Sequence, residues 1–151
     1  MINSLKLLAY GPLSIRIVIG ILFVIAGWQK LSNLPQTQGY FVMMGLPQEI
    51  AVLIGLLELI GGILLIFGLL TRIVASLFIV EMIGGIIISE ITNAVALPAG
   101  FELSIRSIPF IYLAICITLL LTGPGKISLE LNVLKREMFP IGMENKSNLI
   151  E

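Results

Sequence analysis

Histidine is absent from this sequence, and cysteine occurs once. The first absence removes the commonest haem and zinc ligand. A lone cysteine, Cys116, cannot form a disulfide within the chain, which excludes dithiol chemistry of the disulfide-generating kind for the isolated subunit. Cys116 lies inside an apolar run and reads as a small packing residue. Charge is scarce as well: 12% of the 151 residues are charged and they cancel to a net charge of zero, so no electrostatic footprint for nucleic acid exists. The sequence also lacks a Gly-rich phosphate loop, a metal-ligand cluster and a Ser/His/Asp arrangement, so no metal site is expected. No internal repeat is evident, which weakens an inverted-repeat transporter reading.

Apolar residues fill the space these absences leave. They make up 58% of the chain, with a mean hydropathy of +1.09, against roughly 45–50% in soluble domains. A domain of this size could not hide so much apolar surface from water. The reading is an all-α, polytopic membrane protein of one domain, partnered first of all by the lipid bilayer.

Roughly 20 apolar residues cross about 30 Å of hydrocarbon, and four segments come close. They are expected at about 12–31, 50–70, 73–89 and 103–122, forming a four-transmembrane-helix bundle. Lys6 is a thin basic region, and no small-residue cleavage site precedes Trp28, so the first segment reads as a retained span rather than a signal peptide. Thr71-Arg72 is expected as a tight turn, and Gly123-Pro124-Gly125 as the stop of the last span, with Pro109 in its first two turns. Lys6, Arg16, Arg72, Lys126, Lys135, Arg136 and Lys146 flank the spans on one side, and Lys30 and Arg106 on the other. This bias places both termini in the cytoplasm of an inner-membrane protein. The outer loop Ser32–Glu49 reads as partly helical. The segment 126–151 reads as a cytoplasmic amphipathic stretch (Ile127–Phe139) followed by a polar tail, with Ser128 and Glu130 as helix caps.

Two glutamates break the apolar runs. Glu58 and Glu81 lie near the middles of the second and third segments, where a carboxylate costs roughly 2.5–3.5 kcal/mol on insertion scales. Arg16, Gly20, Phe23, Gly27 and Lys30 recur at helical spacing on one face of the first span, and Gly55, Glu58 and Gly62 share a face of the second. Glycines on such faces let helices approach closely. Gly84 and Gly85, about one turn from Glu81, suggest that it too points into the bundle. Counting the rise per residue sets Arg16 about 6 Å and Glu81 about 13 Å inside one boundary, with Arg106 about 5 Å and Glu58 about 13 Å inside the other. The expected ion pairs are therefore Arg16–Glu81 and Arg106–Glu58. Three readings of the buried acids stay open: fixed helix register, a quinone or ligand pocket using Glu58, and a proton or ion pathway. An unpaired buried glutamate would keep its proton and could donate to a quinone carbonyl. Trp28-Gln29-Lys30 reads either as an interfacial anchor or as a rim of donors to a polar headgroup.

Several motifs resemble one family. Arg16-x3-Gly20-x2-Phe23-x3-Gly27-x2-Lys30-Leu31 resembles the opening of the DoxX family of small four-span membrane proteins. Gly45-Leu46-Pro47 follows, then Glu58-x2-Gly61-Gly62 with Gly68-x2-Thr71-Arg72, then Gly123-Pro124-Gly125-Lys126-x-Ser128-Leu129-Glu130, with Glu102 before the last span. The resemblance covers about residues 12–132. It implies a four-helix membrane bundle of bacteria and archaea, whose namesake belongs to a thiosulfate:quinone oxidoreductase, and it points to Arg16, Gly20, Gly27, Lys30, Glu58, Gly61, Gly62 and Arg72. Glu81 and Arg106 depart from the family pattern, and Glu130 replaces a more usual Asp. The expected role is a membrane subunit or accessory of a quinone-linked redox process, tied to thiosulfate, sulfur or oxidative stress, with Glu58, Trp28, Lys30 and Arg106 around the headgroup. Arg16 and Glu81 are the structural ion-pair candidates, and Gly20, Gly27, Gly55, Gly61 and Gly62 the packing glycines. The chain holds no redox group of its own, so a soluble or membrane redox subunit or a membrane quinone is the expected companion. A small-solute or proton-coupled carrier and a membrane anchor for a soluble enzyme are the alternatives. The catalytic residues, the substrate and the oligomeric state are left open.

Overall fold

The computed structural model describes residues 11–92, 102–125 and 128–130, and of these the side chains of all but 89–92 and 102–107. Most of the Ile127–Phe139 segment, the tail and the Arg106 side chain lie outside that set. Among the described residues, five helices follow in order: α1 Gly11–Ser32, α2 Leu34–Met43, α3 Glu49–Phe67, α4 Thr71–Thr92 and α5 Glu102–Thr122. No strand occurs among the described residues. α1, α3 and α4 are long and apolar enough to cross a membrane; the described apolar stretch of α5, Ile108–Thr122, is shorter.

The helix boundaries follow from local chemistry. α2 starts with Pro35 in its first turn, where a missing N–H costs nothing. It ends at Gly45, whose φ of 76° lets the Gly45 N–H reach Val42 O (2.9 Å) and the Leu46 N–H reach Phe41 O (2.9 Å). α3 stops in the same way. Gly68 has φ 69°, its N–H meets Leu65 O (3.1 Å), and the Leu69 N–H meets Leu64 O (2.9 Å). The reversal between the second and third spans is therefore Gly68–Leu70, and Thr71-Arg72, expected as the turn, already belongs to α4. A left-handed glycine ends the helix three residues before the polar pair does.

α1 packs antiparallel along α3, and α4 along α5. In a bilayer, water does not drive helices together, so close backbone contact has to. The α1–α3 seam shows how. A Cβ on Gly20 would lie 2.8 Å from Gly62 O, one on Gly62 would lie 2.7 Å from Gly20 O, and one on Gly27 would lie 2.5 Å from Leu59 N and 2.7 Å from Gly55 O. Gly61 serves the other neighbour, since a Cβ there would meet the Phe78 ring at 2.7 Å. Adjacent glycines thus seat α3 against α1 on one side and α4 on the other.

The core gathers Ile19, Phe23, Leu65, Val74, Ala75, Phe78, Cys116 and Leu119. Phe23 stacks on Phe78 with ring centroids 3.7 Å apart, and Tyr112 meets Phe23 edge-on at 5.3 Å. The outer surface is apolar as well: Val18, Leu53, Ile60 and Leu121 are all well exposed, as residues facing lipid should be.

At the end of the bundle that holds the α3–α4 turn, Arg16 is buried (1% exposed). Its guanidinium donates to Pro124 O, and it lies within electrostatic reach of Glu130. A Cβ on Gly68 would collide with that guanidinium at 2.6 Å, and the Glu130 N–H donates to Gly68 O at 3.3 Å. The Gly-Pro-Gly segment is thereby tied to the start of α1 and to the α3–α4 turn. Ser128 and Glu130, read from the sequence as helix caps, are buried in this junction. The expected Arg16–Glu81 pair does not form, because Glu81 stands nearly three turns along α4 from Thr71, roughly 15 Å away.

Candidate functional site

The second polar centre lies on the far side of the aromatic stack. Because Gly27 lets α1 press against the backbone of α3, Lys30 arrives one turn later above Gly55, with its Cβ 3.5 Å from where a Gly55 Cβ would be. Its side chain then runs back along α3, and Nζ reaches Glu58 Oε2 at 2.5 Å. Glu58 is 3% exposed, and among the described residues this ammonium is the partner that balances its charge. Lys30 comes from the packed neighbour of α3; the expected Arg106–Glu58 pair falls on a side chain outside the described residues.

Glu81 joins the same centre from α4. Its carboxyl lies beside that of Glu58 and within electrostatic reach of Lys30. Its Oε2 is buried with no donor among the described residues. Tyr112 is also close enough to Glu58 to feel its charge. Beneath the three polar groups sits the Phe23–Phe78–Tyr112 stack, with Phe78 one turn from Glu81.

Lys30, Glu58 and Glu81 line a cavity of about 450 Å³. Its walls are Ile50 and Ile54 of α3, Val80, Met82 and Ile88 of α4, and Pro109 of α5, with Phe41, Met44 and Leu46 closing it from α2 and the loop that follows. Gly84 and Gly85 also face it. A Cβ at either would meet nothing within 4 Å, unlike the seam glycines. They follow Glu81 by one turn and leave room where a larger residue would project.

Of the residues read from the sequence, Lys30, Glu58 and Glu81 come together here, while Arg16 belongs to the opposite end. Trp28 does not join the site. It is 65% exposed, because one residue after Gly27 the helix has turned about 100° away from the α3 seam. A Cβ on Gly20, Gly27, Gly55, Gly61 or Gly62 would press on a neighbouring helix. Gly84 and Gly85 carried a signal, being one turn from a buried acid, but their part in shaping a cavity was not foreseen. No group of three or more metal-ligating side chains occurs among the described residues.

With this geometry in place, known proteins can be compared. The family model for DoxX matches residues 11–102. The chain belongs to the DoxX family. It is 42% identical over 62 residues to "Inner membrane protein YqjF" of Escherichia coli (strain K12), covering 41% of this chain and 48% of that protein. It is 39% identical over 57 residues to "Putative oxidoreductase CatD" of Bacillus subtilis (strain 168), covering 38% of this chain and 42% of that protein. The matches thus span just under half the length of these relatives. No solved structure matches. The family, the apolar helices and the inner-membrane relative together make this DoxX-family chain a membrane protein.

Proposed function

We propose that this DoxX-family protein is a membrane component of a quinone-linked redox process and that the cavity beside Lys30, Glu58 and Glu81 receives the quinone headgroup. The observation that carries this reading is the meeting of Lys30, Glu58 and Glu81 on the wall of an otherwise apolar cavity of about 450 Å³. Ligand sites usually have that form, with volumes of about 300–1,000 Å³ and a few polar groups that fix orientation. A ring with a short apolar tail suits the isoleucine, valine and methionine walls. The polar trio offers hydrogen-bonding partners to its oxygens, and the relative named as an oxidoreductase fits the same direction.

Glu58 anchors the trio through Lys30 rather than serving alone as the headgroup donor. Electrons would pass to or from a partner subunit or leave with the bound quinone. The carrier alternative draws less support, because the stacked rings of Phe23, Phe78 and Tyr112 and the packed core behind them fill the bundle between this cavity and the Arg16 end.

Purified protein in lipid nanodiscs, titrated with decylubiquinone and its quinol by calorimetry, tests the reading. Saturable binding of either form is expected, and Gly84→Leu, which fills the cavity, should abolish it. Absence of binding of both forms to the parent protein, or equal binding to Gly84→Leu, would contradict it.

A further inference from the structure

Helix α2 carries no charge. Neither does any residue from Leu31 to Gln48, although this stretch connects two spans and connections ordinarily run through water. The helix has two faces. Thr37, Phe41 and Met44 recur at helical spacing on the half-buried side, and Phe41 and Met44 close the cavity. On the other side Tyr40, Val42 and Met43 are each more than half exposed. A helix face in water carries charged and polar side chains. This one presents an aromatic ring and two apolar chains.

The polar groups of α2 find partners within the protein. Thr37 Oγ1 donates to Lys30 O at 3.0 Å, and Gln36 Nε2 to Tyr40 OH at 3.3 Å. Past the last turn, the Met44 N–H meets Tyr40 O (3.1 Å), and the Gly45 and Leu46 N–H groups return to Val42 O and Phe41 O. Backbone so satisfied can lie against lipid. The level of α2 follows from what it touches. Across the cavity stand Ile50 and Ile54 in the first two turns of α3, and between them Leu53 is exposed on the lipid-facing surface. The Thr37–Lys30 bond ties α2 to the last turns of α1, where Trp28 is exposed.

The outward face of α2 therefore continues the apolar surface of the bundle. We propose that α2 is an interfacial helix, with Tyr40, Val42 and Met43 seated in the bilayer where headgroups meet acyl chains. Bilayer lipid is the partner of this face, and the opposite face roofs the cavity. Tyr40 and Trp28 are the residue types that favour this level, each with an apolar ring and one polar atom for the headgroup region. The placement holds whether or not a quinone occupies the cavity.

The experiment puts a single tryptophan on this face of the full-length protein in phosphatidylcholine vesicles. Trp28→Phe removes the chain's one tryptophan, and Tyr40→Trp or Met43→Trp is added to it. Both positions are exposed, so neither change disturbs the core. Emission is read with lipids brominated high on the acyl chain, with lipids brominated near the chain ends, and with iodide in the water on both sides. Each reporter should be quenched about twofold more by the high bromines than by either other quencher, as a shallow seat requires. Quenching by iodide without a bromine effect would put α2 in water and overturn the proposal. Protection from all three quenchers would put the face against protein, and strongest quenching by the chain-end bromines would put it at the midplane; either result overturns the proposal as well.

Discussion

Lys30 and Glu58 meet at 2.5 Å although they lie on different helices, one near the end of α1 and the other in the middle of α3. The ammonium reaches its partner only because the Gly27–Gly55 contact brings the two backbones together one turn earlier. A packing feature thus sets an electrostatic one. The lysine side chain is 29% accessible and the carboxylate 4%, so the pair bridges the rim and the floor of the cavity.

Removing the lysine should expose that dependence. Lys30→Met leaves a buried carboxylate without its counter-charge and is expected to cost about 3 kcal/mol, measured by SDS-induced unfolding from mixed micelles. The double variant Lys30→Met/Glu58→Met should recover at least half of the loss, since no charge is then stranded.

The seam glycines offer a contrast that separates packing from helix propensity. Gly27→Ala forces a Cβ to 2.5 Å from the α3 backbone, and an overpacked seam of this kind costs about 1–3 kcal/mol. Gly39→Ala on α2 meets nothing within 4 Å, and by helix propensity alone it should stabilise by roughly 0.5–1 kcal/mol. The same unfolding measurement reads both.

Arg16 at the opposite end should behave as a structural clasp. Arg16→Met removes the donor to Pro124 O and the cation near buried Glu130. The expected loss is about 3–5 kcal/mol. Arg16→Lys should recover only part, because an ammonium keeps the charge but not the planar fork. Quinol binding per folded molecule should be unchanged in Arg16→Lys, which calorimetry checks, since the clasp and the cavity lie on opposite sides of the ring stack.

Much of this arrangement was legible before any coordinates, and its gaps have physical causes. Helical spacing alone put Gly20, Gly27 and Lys30 on one face of α1, and Gly55, Glu58 and Gly62 on one face of α3; those faces do meet. Rise per residue gives height but not azimuth. It set Glu58 and Glu81 about 13 Å from opposite boundaries of a layer about 30 Å thick, which is nearly the same level, yet assigned each to a separate arginine. Lys30 stands near a helix end, the ordinary place of an interfacial anchor, and that position hides its inward path in the sequence. Gly84 and Gly85 look in sequence like Gly61 and Gly62. Only the third dimension shows that one pair meets a neighbouring helix and the other faces empty space. The turn at Gly68–Leu70 was missed because a polar Thr-Arg pair is a louder signal than a glycine followed by two leucines.

The central claim is that the cavity beside Lys30, Glu58 and Glu81 receives a quinone headgroup. Calorimetric titration of the protein in nanodiscs with decylubiquinone and decylubiquinol reads this directly. Saturable binding of at least one form, lost in Gly84→Leu, is the predicted result. No binding of either form to the parent protein, or equal binding to Gly84→Leu, would contradict it.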